Sequence, residues 1–274
     1  MQGKAPCEAA AAEPDFTIVI PTCDRPHMLC RALASALRQT YEKFDIVVVD
    51  DASDQPVAID CPGEHVVTLL RSPHRLGAGG ARNLGVTHAR GSWIAFLDDD
   101  DEYEADFLRS TCTRLLSAPQ SRFSWCSLVV VHYDGHDHPI RESSFPFPQD
   151  YESEGKLLAA AVSIGSSFGF TVNRDAFLAV GGFDESYPVM GDTELFFRLI
   201  AAAYRPVVVP QPLLRFHDHH EPRLTHQRSY ASRIQACERI SDRYAGLIAR
   251  HPELREHMRG ALRALKQGAR ITPG

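Results

Sequence analysis

Strand-like and helix-like patterns alternate along the first hundred residues of the chain. Four short apolar runs are typical of buried strands: residues 16–20, 44–49, 66–70 and 93–97. Two stretches with apolar residues at helical spacing lie between them: residues 27–40 and 80–89. Because strands that alternate with helices are typical of a parallel sheet with right-handed crossovers, this part of the chain predicts an α/β fold.

The pattern is less regular after residue 101. Further helices are predicted at residues 106–118, 156–163, 174–180 and 192–204. Further strands are predicted at residues 124–133, 167–172 and 206–210. Residues 134–150 read as a polar, proline-containing loop, and residues 228–270 as two basic amphipathic helices that separate near Pro252. Residues 1–14 are expected to be a disordered leader.

Four consecutive carboxylates, Asp98 to Asp101, follow the strand predicted at residues 93–97 with no turn residue between them. Ligands of open α/β sheets bind at the carboxyl ends of the strands, so the cluster is a candidate ligand site. The four carboxylates repel one another, so their negative charge must be compensated by a divalent cation, by arginines or by bulk water. On an extended backbone, Asp98 and Asp100 would face one side and Asp99 and Asp101 the other. The alternative is a solvated acidic turn.

Composition and charge limit the class of protein. The chain has 274 residues, 44% hydrophobic and 23% charged, as in ordinary soluble globular proteins. A net charge of −6 argues against a general nucleic-acid binder. Residues 228–274 carry a local charge of +6 and the remainder −12. Seven scattered cysteines without a C-x-x-C pair favour reduced thiols, and no apolar run approaches the length of a membrane span. We therefore expect a cytoplasmic protein.

Several other groups are candidates for chemistry. The glycine-rich segment 77–85 resembles a dinucleotide-binding loop, but Arg82 stands where the third glycine belongs. Arg82 could bind a phosphate or a uracil edge, or form a surface ion pair. Asp192 and Glu194 open a predicted helix, where a carboxylate acts either as a cap or as a general base. Histidines that could bind a metal, or only cluster at the surface, are His217, His219, His220 and His226.

The order of these motifs resembles family 2 glycosyltransferases over residues 16–225. The opening block is Ile20-Pro21-Thr22-x-x-Arg25, Gln39-Thr40-Tyr41 and Val48-Val49-Asp50-Asp51-Ala52-Ser53. The next block is Gly77-x-x-x-Ala81-Arg82-Asn83-x-Gly85, Ala89-x-Gly91 and Phe96-Leu97-Asp98-Asp99-Asp100-Asp101. The last block is Gly181-Gly182-Phe183-Asp184-Glu185 and Asp192-x-Glu194-Leu195-x-x-Arg198.

The resemblance implies a GT-A fold, which is an α/β fold with a mostly parallel, Rossmann-like sheet flanked by helices. Residues 15–225 would form the catalytic domain, with a nucleotide-binding half at 15–101 and an acceptor-binding half at 102–225. Residues 226–274 would add a C-terminal extension of amphipathic helices. Asp100, and His217 near it, would bind Mg²⁺ or Mn²⁺, and Asp192 would be the catalytic base. The residues expected to bind the donor are Pro21, Thr22, Asp24, Arg25, Asp51, Arg82, Asp98 and Asp99.

The expected reaction is an inverting, metal-dependent transfer of a sugar from a nucleotide diphosphate, with UDP as the expected nucleotide. The acceptor would be a hydroxyl of a glycan or of a lipid-linked molecule, and no nucleic acid is expected as a partner. The basic C-terminal helices could contact the inner face of a membrane, form a homodimer, or pack on the catalytic domain. The alternatives are a nucleotidyltransferase and an inactive sugar-nucleotide-binding protein.

Overall fold

Both ends of the chain and four internal gaps lie outside the part that can be described. The structure is a computed structural model that describes residues 15–59, 66–136, 138–164, 169–219 and 230–268. The predicted leader at 1–14, the predicted boundary at 225–226, His220 and His226 therefore lie outside the described residues.

Strands and helices alternate over the first half of the chain, as predicted. The strands in the described residues are β1 (Phe16–Thr22), β2 (Phe44–Asp50), β3 (Val67–Arg71), β4 (Trp93–Phe96), β5 (Glu102–Tyr103), β6 (Ser121–Tyr133), β7 (Pro139–Phe145), β8 (Thr171–Asn173) and β9 (Arg205–Asp218). The helices are α1 (Pro26–Leu37), α2 (Gly77–His88), α3 (Phe107–Leu116), α4 (Glu154–Ser163), α5 (Arg174–Ala179), α6 (Gly191–Ala201), α7 (Tyr230–Arg243), α8 (Ala245–Arg250) and α9 (Pro252–Lys266).

One sheet runs through both predicted halves of the catalytic domain. Its strand order is β3-β2-β1-β4-β8-β6-β9-β5, and β7 pairs with β6. Strands β3, β2, β1 and β4 are parallel, and so is the pair of β6 and β9. Strand β8 runs antiparallel between β4 and β6. The predicted α/β fold, with a mostly parallel sheet flanked by helices, is confirmed.

The parallel half is held together by strands that are buried on both faces. Every residue of β1 and β2 is buried, which explains their continuous apolar runs. Helix α2 lies very close to this sheet at Gly85. A Cβ atom added there would lie 2.5 Å from Val19 Cγ1 and 3.2 Å from Val49 Cγ2. Only a residue without a side chain permits this approach, and it brings α2 to the carboxyl edge of the sheet.

Two predictions in the less regular half are wrong in detail. The predicted loop at 134–150 contains β7, whose strand conformation comes from antiparallel pairing with β6 and not from its own exposed sequence. The strand predicted at 206–210 extends to Asp218 as β9. Proline usually ends a strand because it lacks the N–H donor. Here the register shifts opposite Pro212, and the β6–β9 ladder then continues.

The described part of the C-terminal extension, residues 230–268, forms three helices and not two. The predicted break before Pro252 is present, because His251 is extended and α9 begins at Pro252. A second break occurs at Tyr244, between α7 and α8. Four apolar residues of α9 are buried: Leu254, Met258, Ala261 and Leu265. Of the three arrangements considered for these helices, packing on the catalytic domain is therefore what the structure contains. Among the helices described, none has the length and apolar character needed to cross a membrane.

Candidate active site

The predicted site residues gather at the carboxyl edge of the parallel strands. Because β1, β2 and β4 run in the same direction, Thr22, Asp50 and the segment after Phe96 lie side by side. Leu97 donates its N–H to Val19 O at 3.1 Å, so the chain leaves the sheet just before Asp98. The four aspartates thus begin where the sheet hydrogen bonds end.

The four aspartates form a turn and not an extended segment. Asp101 N–H donates to Asp98 O at 3.2 Å. The expected alternation of faces is therefore wrong, because Asp101 joins Asp98 and Asp100 on one side. One carboxylate oxygen from each of these three lies within 4.8 Å of the others, and Asp100 and Asp101 are buried. The turn thus converts a linear acidic run into a compact group of oxygen atoms.

Arginines balance part of this negative charge. Arg25 lies immediately before α1, whose first residue is Pro26, and its Nη1 lies 3.2 Å from both Asp99 and Asp100. Thr22 Oγ1 donates to Asp99 at 2.8 Å. Burial raises the pKa of Asp99 to about 6, helped by the charge of Asp100 and opposed by Arg25. The positive charge at Arg25 therefore does not offset the accumulated negative charge and desolvation.

Two histidines of the same segment take different positions. The ring of His217 lies between Tyr133 Oη, 2.7 Å from Nδ1, and Glu102 Oε1, 2.9 Å from Nε2. The ring of His219 instead lies with Nε2 3.0 Å from Oδ2 of Asp100. Sequence spacing places both histidines on one side of an extended strand, but β9 ends at Asp218. The histidine that the structure brings to Asp100 is therefore His219.

Glu102 and Tyr133 were not identified as site residues from the sequence. The hydrogen bond to His217 and the charges of His217, Arg31 and Arg38 outweigh burial and lower the pKa of the Glu102 carboxyl. The N–H of His217 donates to Asp101 Oδ1 at 3.1 Å. This network ties β9 to the acidic turn. Only the position of Glu102 directly after the four aspartates could have pointed to it in the sequence.

Asp51 and Asp24 shape the loops beside the acidic turn. Both carboxylate oxygens of Asp51 accept backbone N–H groups at the start of α2, from Leu76 at 2.7 Å and Gly77 at 2.9 Å. Asp24 has a φ of 57°, and its carboxylate accepts the N–H of Asp54 at 2.6 Å. This hydrogen bond and the charge of Arg75 lower the pKa of the Asp24 carboxyl, although desolvation opposes the shift. Pro21 is a buried residue of β1 opposite Val49.

Arg82 faces the acidic turn from α2. Its guanidinium pairs with Asp98 and lies 5.4 Å from the ring centroid of Phe183. The neighbouring Asn83 exchanges two hydrogen bonds with the backbone of Phe183, at 2.9 Å and 2.8 Å. The 7% exposed Arg82 is thus part of a buried contact between α2 and residues 182–185, not a surface ion pair.

Asp192 and Glu194 lie in the first turn of α6 but in different environments. Met190 is the N-cap residue of this helix, so Asp192 is not the cap. The partly exposed Asp192 carboxylate accepts the N–H of Thr193 at 2.8 Å. The fully buried Glu194 accepts hydrogen bonds from Arg198 and Tyr244, both at 2.8 Å. Glu194 is therefore a structural carboxylate, and Asp192 is the partly exposed acid of this turn.

A family model, glycosyl transferase family 2, matches residues 17–180, which is more than half of the chain. The chain belongs to this family. This glycosyltransferase is 29% identical over 211 residues to the amylovoran biosynthesis glycosyltransferase AmsB of Erwinia amylovora, covering 74% of the chain and 69% of AmsB. It spans 66% of the length of a Haemophilus influenzae glycosyltransferase to which it is similar, and 69% of AmsB.

A shorter match and a solved structure agree with this assignment. The Escherichia coli protein WfgD, a UDP-Glc:α-D-GlcNAc-diphosphoundecaprenol β-1,3-glucosyltransferase, is 31% identical over 102 residues, or 36% of this chain and 40% of WfgD. Residues 1–349 of Staphylococcus aureus TarS, solved in complex with UDP-GlcNAc, superpose with a TM-score of 0.61. That match covers 83% of this glycosyltransferase and 66% of the TarS chain at 15% identity. It supports the fold alone.

Proposed function

We propose that this glycosyltransferase transfers a sugar from a UDP-sugar to a hydroxyl of a glycan or lipid-linked acceptor, with a divalent metal and with inversion. The observation that carries the proposal is the compact group of Asp98, Asp100 and Asp101 at the carboxyl edge of β4. In an open α/β sheet this edge is where a nucleotide binds. Arg82 and Arg25 lie beside the group and could contact the diphosphate of such a donor.

The chemistry of the oxygen cluster fits Mg²⁺ or Mn²⁺. Both are hard cations that accept carboxylate oxygens, and Mg²⁺ takes only one or two of them beside substrate phosphates. We assign the metal contact to Asp100 and, in place of His217, to His219, because both ring nitrogens of His217 already lie against Tyr133 and Glu102. Bound there, the cation would stabilise the negative charge that develops on the leaving diphosphate.

The donor would lie along the edge formed by β1, β2 and the acidic turn. Thr22 and Asp99 are joined by a hydrogen bond, and Pro21 precedes them in the buried strand. Asp51 orders the start of α2, so that a nucleotide base would meet a preformed surface there. We assign Asp24 to the rim of this surface, because it organises the loop that ends at Asp54.

Asp192 would act as the general base of an inverting displacement. A base must reach the acceptor hydroxyl with an ionised carboxylate, and inversion needs a single displacement from the side opposite the leaving group. Asp192 is partly exposed in the first turn of α6, whereas Glu194 is buried and engaged by Arg198. Transfer of the proton to Asp192 would leave the acceptor oxygen free to attack the anomeric carbon.

The relatives support the class of acceptor. AmsB acts in amylovoran biosynthesis, and the name of WfgD describes a diphosphoundecaprenol-linked acceptor. We infer a related glycan or lipid-linked acceptor for this chain. Membrane contact or a homodimer through the C-terminal helices would use their charged outer faces, since the apolar face of α9 is buried. Both remain predictions, as does the cytoplasmic location.

The proposal is tested by incubating the full chain with UDP-glucose, UDP-galactose or UDP-GlcNAc and with Mn²⁺ or Mg²⁺. We expect slow release of UDP from at least one donor, abolished by EDTA and restored by excess metal. Arg259→Gln on the outer face of α9 is the control variant and should behave as wild type. Formation of UTP and sugar 1-phosphate from the UDP-sugar when pyrophosphate is added would instead indicate a nucleotidyltransferase. Metal-dependent UDP binding without any turnover would indicate an inactive sugar-nucleotide-binding protein.

A further inference from the structure

The segment that leads into α6 is held from two sides. On one side lies α2, where Asn83 exchanges hydrogen bonds with the backbone of Phe183 and Arg82 lies over the Phe183 ring. This contact comes from the nucleotide-binding half. The other side of the segment faces the C-terminal extension, which the family match at residues 17–180 does not include.

Helix α7 provides the contacts on that second side. The Arg239 guanidinium carbon lies 4.1 Å from the ring centroid of Tyr187, and its nitrogens donate to Ser186 O and Oγ at 3.3 Å and 3.2 Å. Arg243 Nη1 lies 3.4 Å from Asp184 Oδ2. Two arginines one turn apart on α7 thus hold three residues of the segment that ends at Met190.

The same helix reaches the first turn of α6 through a buried carboxylate. Glu194 is 0% exposed and follows Asp192 by two residues. Its Oε1 accepts the Tyr244 hydroxyl at 2.8 Å and lies 3.1 Å from Arg243 Nη1. Tyr244 also stacks on Phe197, with ring centroids 5.0 Å apart. A buried carboxylate that lost these partners would destabilise the fold, because its charge would be left unpaired away from water. The contacts of Glu194 therefore fix the first turn of α6 relative to α7.

An electrostatic interaction also links α7 to Asp192. Burial lowers the pKa of the Arg233 guanidinium, and the negative charge of Asp192 opposes that shift. The buried residues of α7 are Ala236, Cys237 and Ile240, whereas Arg239 and Arg243 contact the segment before α6. The helix therefore does more than bury an apolar face.

We propose that α7 and Tyr244 position the catalytic base: they hold residues 184–190 and the first turn of α6 so that Asp192 keeps its orientation toward the acceptor. The inference rests on the proposed function, in which Asp192 takes the acceptor proton. Arg239, Arg243 and Tyr244 are positioning residues, because each acts through Tyr187, Asp184 or Glu194. The C-terminal extension would then be a working part of the transfer site.

Hydrogen exchange of the full chain tests the positioning directly and needs no substrate. Tyr244→Phe removes the hydroxyl that contacts Glu194 but retains the ring that stacks on Phe197. We expect exchange in residues 184–195 to accelerate by about 10-fold or more, while β1 and β2 exchange as in wild type. The matched control is Tyr41→Phe, which removes a tyrosine hydroxyl bound to Asp15 at the opposite edge of the sheet. Unchanged exchange in residues 184–195 of Tyr244→Phe would overturn the proposal.

Kinetics separate a positioning role from a merely structural one. With the UDP-sugar that wild type hydrolyses, Tyr244→Phe should lower kcat about 10-fold and leave the KM for the donor unchanged, because small misplacements of a catalytic group are costly. Tyr41→Phe should leave both constants unchanged. In the Asp192→Asn background, Tyr244→Phe should have no further effect on kcat. Independent, multiplicative losses in the double variant would contradict action through Asp192.

The two hypotheses fail in different ways. Near-normal turnover by Asp192→Asn would refute the base assignment of the proposed function. Normal exchange in residues 184–195 and normal kcat in Tyr244→Phe would refute only the positioning role. Wild type that hydrolyses no UDP-sugar would refute the donor assignment, and the exchange experiment would still decide whether α7 holds the first turn of α6.

Discussion

At the scale of single residues, the site depends on which carboxylates are already committed to the fold. Asp50, Asp51 and Glu194 are buried and accept hydrogen bonds from neighbouring segments. Asp100 and Asp192 occupy the positions assigned to metal and acceptor. Carboxylates therefore fall into two groups, structural and functional. Substitution of a structural carboxylate should lower stability, and substitution of a functional one should lower the rate of transfer.

Asp100→Asn should leave the fold intact and remove metal-dependent nucleotide binding. An amide cannot replace the charge that a divalent cation requires from its ligand. Calorimetry should show that UDP binds wild type more tightly with Mn²⁺ than with EDTA, and that the variant loses this difference. Asp175→Asn, an exposed acid in α5, serves as the control and should retain it. If Asp100→Asn showed the same difference in UDP affinity between Mn²⁺ and EDTA as wild type, the assignment of Asp100 as a metal ligand would be wrong.

Asp192→Asn should give folded protein with donor affinity near wild type and a kcat lower by about 10² or more. General-base catalysis typically contributes 10²–10⁴ in rate, and an amide cannot accept the proton. The stability should change little, because Met190 and not Asp192 is the N-cap of α6. UDP release under donor saturation measures kcat, and thermal unfolding measures stability. Transfer at a near-normal rate would disprove the assignment.

At the scale of elements, the strand ends and the helices that face them are locked together by short-range contacts. Asp50 at the end of β2 accepts the N–H groups of Ser53 at 2.9 Å and Val57 at 3.2 Å, and pairs with Arg71 of β3. Gly85 brings α2 against β1 and β2. The contacts of Asp50 lead to a prediction about the pH dependence of stability, and the contact at Gly85 leads to a prediction about packing.

Stability should fall with acid through Asp50. Burial alone would raise its pKa, but the hydrogen bonds from Ser53, Val57 and Arg71 outweigh burial and bring the pKa below the ordinary 3.8. Because the folded-state pKa lies below the unfolded-state pKa, the ionised carboxylate stabilises the fold above about 3.8 and this contribution is lost as pH falls through the folded-state value. Urea unfolding from pH 7 to pH 3 should show a shallower pH dependence for Asp50→Asn than for wild type. The exposed Asp54→Asn should follow wild type; equal slopes for all three proteins would contradict the role of Asp50.

Gly85→Ala should destabilise the protein by about 1–3 kcal/mol, because the added methyl group would overlap Val19 and press on Val49. Gly260→Ala is the matched control within a helix. Its added Cβ meets no atom within 4 Å among the described residues, so it should stabilise by about 0.5–1 kcal/mol. Free energies of unfolding from denaturant titration measure both changes. If the free energy of unfolding changed in the same direction for both variants, α2 would pack less tightly on the sheet than the distances at Gly85 indicate.

At the scale of the whole molecule, charge is unevenly distributed. Residues 228–274 carry +6 while the remainder of the chain carries −12. Part of this charge is used internally, since Arg239 and Arg243 contact the segment before α6 and Lys266 pairs with Glu238. Arg255 and Arg259 lie on the exposed side of α9. A basic surface therefore remains on α9, whose residues Leu254, Met258, Ala261 and Leu265 are buried on its other side.

Binding to anionic vesicles should be electrostatic only. We expect the full chain to co-sediment with phosphatidylglycerol-containing liposomes at low salt and to dissociate at physiological salt, because exposed charges are screened over about 8 Å there. Vesicles of phosphatidylcholine alone are the control and should not bind the protein. Arg255→Gln with Arg259→Gln should weaken the low-salt binding. No sedimentation at low salt would exclude membrane contact through α9.

The sequence by itself determined the α/β alternation, the candidate carboxylates and the family resemblance. These features are local: apolar runs of strand length, helical spacing and motif order all lie within short stretches of chain. It therefore predicted β1, β2, β4 and the break before Pro252, which the structure confirms. The roles assigned to Asp100 and Asp192 remain predictions, because they concern a substrate and a metal.

The tertiary structure decided which side chains meet. It turned Asp98–Asp101 into a compact cluster, brought His219 and not His217 to Asp100, and buried Glu194 against Tyr244. It also made β7 a strand through pairing with β6. The contacts of His219 and Glu194 join residues that are far apart in sequence, so they depend on how the sheet and helices pack. Short stretches of sequence do not encode that packing, which is why the link between α7 and the first turn of α6 is visible only in the fold.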